Sequence, residues 1–208
     1  MKSLSLFLCA MVLMFVIIRT SNAALWDRGG GLIYDDVLNI TWLQDAGYLA
    51  SSYGSAILWA ASLDYYDSVR DTIWDSWRLP SAYGQDGSKP EFGFVSGSEM
   101  GHMYYNNLSG TEGGPVPSPI FVDGYGNTSS FLNLQAAQYW ANENNGYYSW
   151  DFDFSIGYQG NDRTAVPDHF AWAVLDGDVG AVPIPAAVWL LGSGLIEVIW
   201  LRKKIRMA

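Results

Sequence analysis

The chain has 208 residues, is 15% charged and 15% aromatic, and carries a formal net charge of −10 with a single cysteine. That length fits one domain with appendages. The carboxylate surplus excludes nucleic acid as a partner, because such a surface repels polyanions, and one cysteine excludes an internal disulfide framework.

The first residues, MKSLSLFLCAMVLMFVIIRTSNAA, set Lys2 before an apolar run from Leu4 to Ile18 and end in small residues. This is the layout of a secretory signal over 1–23, with cleavage expected after Ala23 or Ala24. Cys9 lies inside it, so the exported chain would hold no thiol and would need core burial or bound ions for stability. Between Ala24 and Pro185 stand five cations and twenty carboxylates, a balance of −15. Eight of the ten tryptophans also fall in this stretch. They can build a dense core, and aromatic rings also stack on sugars, so the composition alone serves both uses.

A glycine turn at 29–31 precedes a predicted strand, Leu32 to Tyr34, and a second around Asn39 to Leu43. Apolar residues at near-helical spacing predict a helix from Ser55 to Tyr66. Residues 75–93 read as loop, punctuated by Pro80, Gly84, Gly87 and Pro90. A second helix is expected from a cap at Ser96 or Ser98 to just before Gly110. The stretch 111–131 reads as Gly/Pro loop. From Phe131 onward, short strands are expected between Asn, Gly and Asp turns. Among them Trp150, Phe152 and Phe154 alternate with Asp151 and Asp153, predicting one aromatic and one acidic face. The order of elements gives a single α+β domain of about 155 residues over 24–181.

Several residue groups have chemical potential. Glu99 and His102 sit three apart on the second predicted helix and share a face, half of a metal site; His169 is the other histidine. Asp176-Gly177-Asp178 and Asp151-Phe152-Asp153 offer oxygen ligands, making Ca2+ the candidate cofactor; a hairpin turn and strand alternation explain the same residues without an ion. Arg78, between Trp77 and Leu79, reads either as a buried-carboxylate partner that locks its loop or as a ligand contact. No nucleophile elbow or phosphate-cradling glycine loop is present. The expectation is therefore a non-catalytic protein, although the carboxylates leave a polysaccharide-modifying enzyme open by residue type.

Five blocks occur in order: YDDVLNITWLQDA (34–46), WAASL (59–63), SWRLPSA (76–82), YW (139–140) and FAWAVLDGDV (170–179). Together they resemble the Lcl C-terminal domain family of exported bacterial proteins. The resemblance implies a compact C-type-lectin-like domain with two short helices and several short antiparallel strands. In it Trp42, Trp77, Arg78, Leu79, Pro80, Trp140 and Trp172 would be family-motif residues of structural role. It also implies a glycan or exopolysaccharide ligand. Two departures stand out: five cations do not make a basic patch for a sulfated polymer, and no Glu-Pro-Asn motif for calcium-dependent sugar binding is present.

Residues 182–208 carry a second resemblance. Val182, Pro183, Ile184, Pro185, Ala186 and Ala187 are followed by an apolar run to Leu201 and then by Arg202, Lys203, Lys204 and Arg206. This is similar to the VPLPA variant of PEP-CTERM sorting signals, which implies an exosortase-type membrane enzyme as partner. The run 186–201 is somewhat shorter than the about 20 residues of an ideal span. The basic residues would stop it at the cytoplasmic face, and the prolines keep the motif extended. Glu197 interrupts the apolar run. The implied destination is transient tethering in the inner membrane and then the cell surface or extracellular matrix of a Gram-negative bacterium. A purely structural envelope protein is the remaining alternative.

Overall fold

The computed structural model describes residues 25–180; the signal expected over 1–23 and the sorting segment expected over 182–208 lie outside them. β1 (Leu25–Asp27) and β2 (Leu32–Asp35) form an antiparallel hairpin. Its turn runs through Gly29, Gly30 and Gly31 at φ of 70°, 65° and 80°. Three successive left-handed residues are a conformation that only glycine enters without strain. The Asp35 side chain then accepts the N–H groups of Val37 and Leu38, turning the chain into β3 (Ile40–Leu43).

β4 (Tyr48–Ala50) leads into α1 (Tyr53–Ala61). Ser52 and Ser55 form a reciprocal capping box at its start, so the helix begins two residues before the predicted start at Ser55. It also ends earlier than the predicted Tyr66. Asp67 accepts from the N–H groups of Val69 and Arg70, and this turn converts the expected last helical turn into a hairpin of β5 (Tyr65–Asp67) and β6 (Thr72–Trp74).

The second predicted helix is a single α-turn, α2 (Glu99–His102), running into a π-helical turn at Met103–Asn107. The wider turn closes through Leu108 N–H to Met103 C=O at 3.0 Å. Within the expected loop region lies another hairpin, β7 (Ile120–Val122) with β8 (Thr128–Ser130). Asp123 orders its turn by accepting from the Tyr125 and Asn127 N–H groups. The remaining strands are β9 (Gln138–Asn144), β10 (Tyr148–Asp153), β11 (Tyr158–Arg163), β12 (His169–Ala171) and β13 (Val174–Asp176).

Two larger sheets organise the molecule. One has the order β1-β2-β3-β13 and is antiparallel throughout. The other, β11-β10-β9-β12-β4, is mixed, since β12 runs parallel to β9. The fold is thus sheet-rich α+β with two short helices. The main core joins both sheets through residues such as Ile33 and Trp42 from the first and Tyr139 and Phe152 from the second. A smaller cluster lies on the far face of the mixed sheet, where Tyr53, Ala56 and Ala60 of α1 meet Trp140, Ala171 and Leu79. Among the described residues no helix is long and apolar enough to cross a membrane.

The alternation in β10 has an unexpected outcome. Phe152 and Phe154 are fully buried, but Asp151 is also only 4% exposed. Its face of the sheet carries Trp140 as cross-strand partner, and that face packs under α1 instead of meeting water.

Candidate functional site

A cleft of about 540 Å3 opens where the β3–β4 connection meets α1 and β5. Tyr48 at the start of β4 and Trp59 near the end of α1 both line it. Their rings lie parallel, 4.1 Å apart at 4°. Trp59 sits two residues before the helix end and is half-buried, and strand β4 presents Tyr48 to it. Leu132, 48% exposed, also lines it.

The connecting segment is held by backbone bonds on both sides. Gln44 N–H donates to Gly31 C=O, Leu132 N–H to Gln44 C=O, and Ala46 N–H to Leu132 C=O, at 2.8 to 2.9 Å. Gln44 Nε2 donates to Ser130 C=O at 2.7 Å. Asp45 Oδ1 accepts from Gly47 N–H at 2.8 Å and from Asn133 Nδ2 at 3.0 Å. Asp45 Oδ2 and Gln44 Oε1 accept from no other described residue. Tyr65 closes the floor by donating its hydroxyl to Gly30 C=O at 2.7 Å. Burial raises the pKa of that phenol, assisted by the charges of Asp67 and Asp45. The result is an aromatic, water-accessible cleft whose single formal charge among the described residues is the Asp45 carboxylate. Such a cleft can stack a flat apolar face and accept hydrogen bonds at its edge.

The Glu99 and His102 pair does not converge on one point. Glu99 receives Arg78 in a two-pronged contact at 2.8 Å each and the Ser81 N–H at 2.7 Å. His102 turns inward, with Nε2 3.9 Å from Asp35 Oδ2 and Nδ1 3.2 Å from Gln85 Nε2. Asn107 Nδ2 donates to the same Asp35 oxygen at 2.6 Å. Burial raises the Asp35 pKa, opposed by its hydrogen bonds, and burial lowers that of His102. The latter stays a neutral ring in the core.

The two Asp pairs weighed for Ca2+ are engaged elsewhere. Asp176 pairs with Arg78 at 2.6 Å and Asp178 with Arg28 at 2.7 Å, while Asp153 caps its own turn by accepting from Ser155 N–H. Asp151 has a pKa pushed up to about 7, mainly by burial and secondarily by the charges of Asp162 and Asp153. Among the described residues no group of three or more His, Cys, Asp or Glu has metal-holding geometry. His169 stacks on Trp140 at 4.2 Å, with Nε2 3.8 Å from Asp162.

The motif residues divide between the two clusters, Trp42, Trp77 and Trp172 in the main core and Leu79 and Trp140 in the one under α1. Trp42, Trp77, Leu79, Pro80, Trp140 and Trp172 are all buried. Trp42 packs on Trp172 at 4.6 Å, and Trp172 Nε1 donates to Leu43 C=O at 2.6 Å. Arg78 forms a bridge with Val174 and spans Glu99 and Asp176. Burial alone would lower its pKa, but the two carboxylates hold it well above the ordinary range. None of these residues lines the cleft. The cleft residues Gln44, Asp45, Tyr48 and Trp59 were not singled out as a site from sequence, because they come from a turn, a strand and a helix with no shared spacing. The Gln-Asp pair ending a predicted strand was the available signal. No family model, no curated protein and no solved structure matches the chain.

Proposed function

We propose that this chain is a non-catalytic exported protein of the cell surface or extracellular matrix whose domain, a C-type-lectin-like α+β fold, holds glycan. Residues 182–187 serve an exosortase-type partner as the sorting motif, the segment 186–201 tethers the chain in the membrane, and Arg202, Lys203, Lys204 and Arg206 stop its transfer. The observation that carries the glycan reading is the cleft with Tyr48 and Trp59 against Asp45 and Gln44. Sugar rings offer an apolar C–H face to aromatic side chains and hydroxyls to edge acceptors, which is the pairing of surfaces this cleft provides. The most shifted carboxyl, Asp151, is buried on the α1 side of the mixed sheet and is not part of the cleft, which favours binding over acid–base chemistry.

A polysaccharide array probed with the full chain, with and without added calcium, tests the proposal. Retention of a glycan with its mass unchanged supports it, and Trp59→Ala should weaken that retention by about tenfold. New reducing ends would replace it with an enzyme reading, and a blank array with a structural one. Mass spectrometry of the surface fraction checks the sorting step, since an intact C-terminal peptide there would rule out processing.

A further inference from the structure

The cleft's electrostatics narrow the glycan class, an inference that rests on the glycan reading above. We infer that the cleft takes a polysaccharide bearing free amino groups, a de-N-acetylated hexosamine polymer, in place of a sulfated or uronate-rich one. Among the described residues no cation lines the cleft, and the one charged group lining it is Asp45. The two arginines nearest in the fold to its glycine-turn wall are already committed. Arg28 donates through Nε and Nη2 to Asp178 at 2.9 and 2.7 Å. Arg70 is bound to Asp67 and to the Gly180 and Arg28 carbonyls. Neither guanidinium can turn to meet an anion without breaking an ion pair, which for Arg70 and Asp67 is buried.

Asp45 is prepared for a donor. Its Oδ1 is fixed by two hydrogen bonds, from Gly47 N–H and Asn133 Nδ2, which orients the exposed carboxylate and leaves Oδ2 to accept. An ammonium placed there gains a charge-assisted hydrogen bond, about twice as strong as the bond a neutral hydroxyl makes. The surrounding segment from Ala24 to Pro185, at −15, raises the local concentration of a polycation and lowers that of a polyanion. The rings of Trp59 and Tyr48 cover each other's inner faces, so a pyranose meets the outside of this stack; charge at Asp45 sets the class and the aromatic pair sets the site.

The test is calorimetric titration of the full chain with three oligosaccharides of equal length: a glucosamine oligomer, an N-acetylglucosamine oligomer and a sulfated glycosaminoglycan fragment. At about pH 6, where the amines are charged, the glucosamine oligomer should bind about tenfold tighter than its N-acetylated counterpart, the scale of one charge-assisted contact. Asp45→Asn should erase that preference, while Trp59→Ala should weaken both by about tenfold. Leu132→Ala, also in the cleft lining, with thermal melts of each variant, separates loss of the cleft from loss of the fold. Equal or tighter binding of the N-acetylated or sulfated oligomer overturns this inference and leaves the glycan reading standing. Glucosamine binding that survives Trp59→Ala unchanged overturns it too, because diffuse attraction to an acidic surface then suffices. Absence of binding by all three, together with a blank array, removes the glycan reading itself.

Discussion

Single side chains show how far burial changes the chemistry that sequence suggests. Asp151 follows the period-two pattern of an exposed acidic face, yet it is 4% exposed and its pKa is pushed up to about 7. The folded value lies above that of the unfolded chain, so the native state binds more protons between about pH 4 and 7. The stability associated with the neutral carboxyl is complete below the unfolded value and is lost as pH rises through the folded one. Asp151→Asn mimics the neutral form. It should flatten this part of the profile, matching wild type at about pH 3 and exceeding it by about 4 kcal/mol at about pH 8. Urea denaturation at the two pH values checks it; a wild type and a variant with parallel profiles would show that Asp151 is ionised in the fold. Arg78 makes the complementary point. Its position between Trp77 and Leu79 left pairing and ligand contact open, and its two carboxylate partners, Glu99 and Asp176, come from positions 21 and 98 residues away.

At the scale of elements, caps and turn-forming aspartates decide the boundaries that periodicity leaves loose. Ser52 starts α1, and Asp35, Asp67 and Asp123 each fold a hairpin turn by accepting backbone N–H groups. Hydrophobic period does not register these local bonds, which is why helix 55–66 shortens to Tyr53–Ala61 and two hairpins appear where helix or loop was expected. α2 shows a limit of helix propensity. Ala at Gly101 would ordinarily stabilise a helix by about 1 kcal/mol. Here its Cβ would stand 2.0 Å from the Val95 carbonyl oxygen, a backbone atom that cannot move aside cheaply. Gly101→Ala should therefore destabilise by about 2 kcal/mol, the scale of an overpacked core. Chemical denaturation decides it, and a gain in stability would mean that the 95–98 turn is free to shift.

The whole molecule closes through its last strands. β12 and β13, separated only by Trp172 and Ala173, belong to different sheets, so this short link ties the two sheets together. Leu43 N–H donates to Ala173 C=O, and Trp172 donates back to Leu43 C=O across 129 residues of sequence. Trp172→Phe keeps an aromatic ring against Trp42, Phe131 and Phe154 but leaves the Leu43 carbonyl without its indole partner. The expected cost is about 2–3 kcal/mol, and Trp172→Ala should cost about 3–5 kcal/mol. Far- and near-ultraviolet circular dichroism should lose both sheets in one transition; separate transitions would show that the junction does not couple them.

The sequence by itself determined the α+β class, the first strands, the existence of two helices and the tryptophan-rich core, because alternation, caps and apolar content act over a few neighbouring residues. It also carried the resemblances from which the exported, surface-sorted reading comes. What only the tertiary structure decided is which polar residues face water and which surfaces meet. Asp151 was buried on the Trp140 face of the mixed sheet, and His102 was drawn to Asp35 instead of to Glu99. The cleft needed Gln44, Asp45, Tyr48 and Trp59 to be brought together from three different elements. The physical reason is that burial and charge are set by distance in space, and pattern along the chain encodes only the part of that distance that a single element spans.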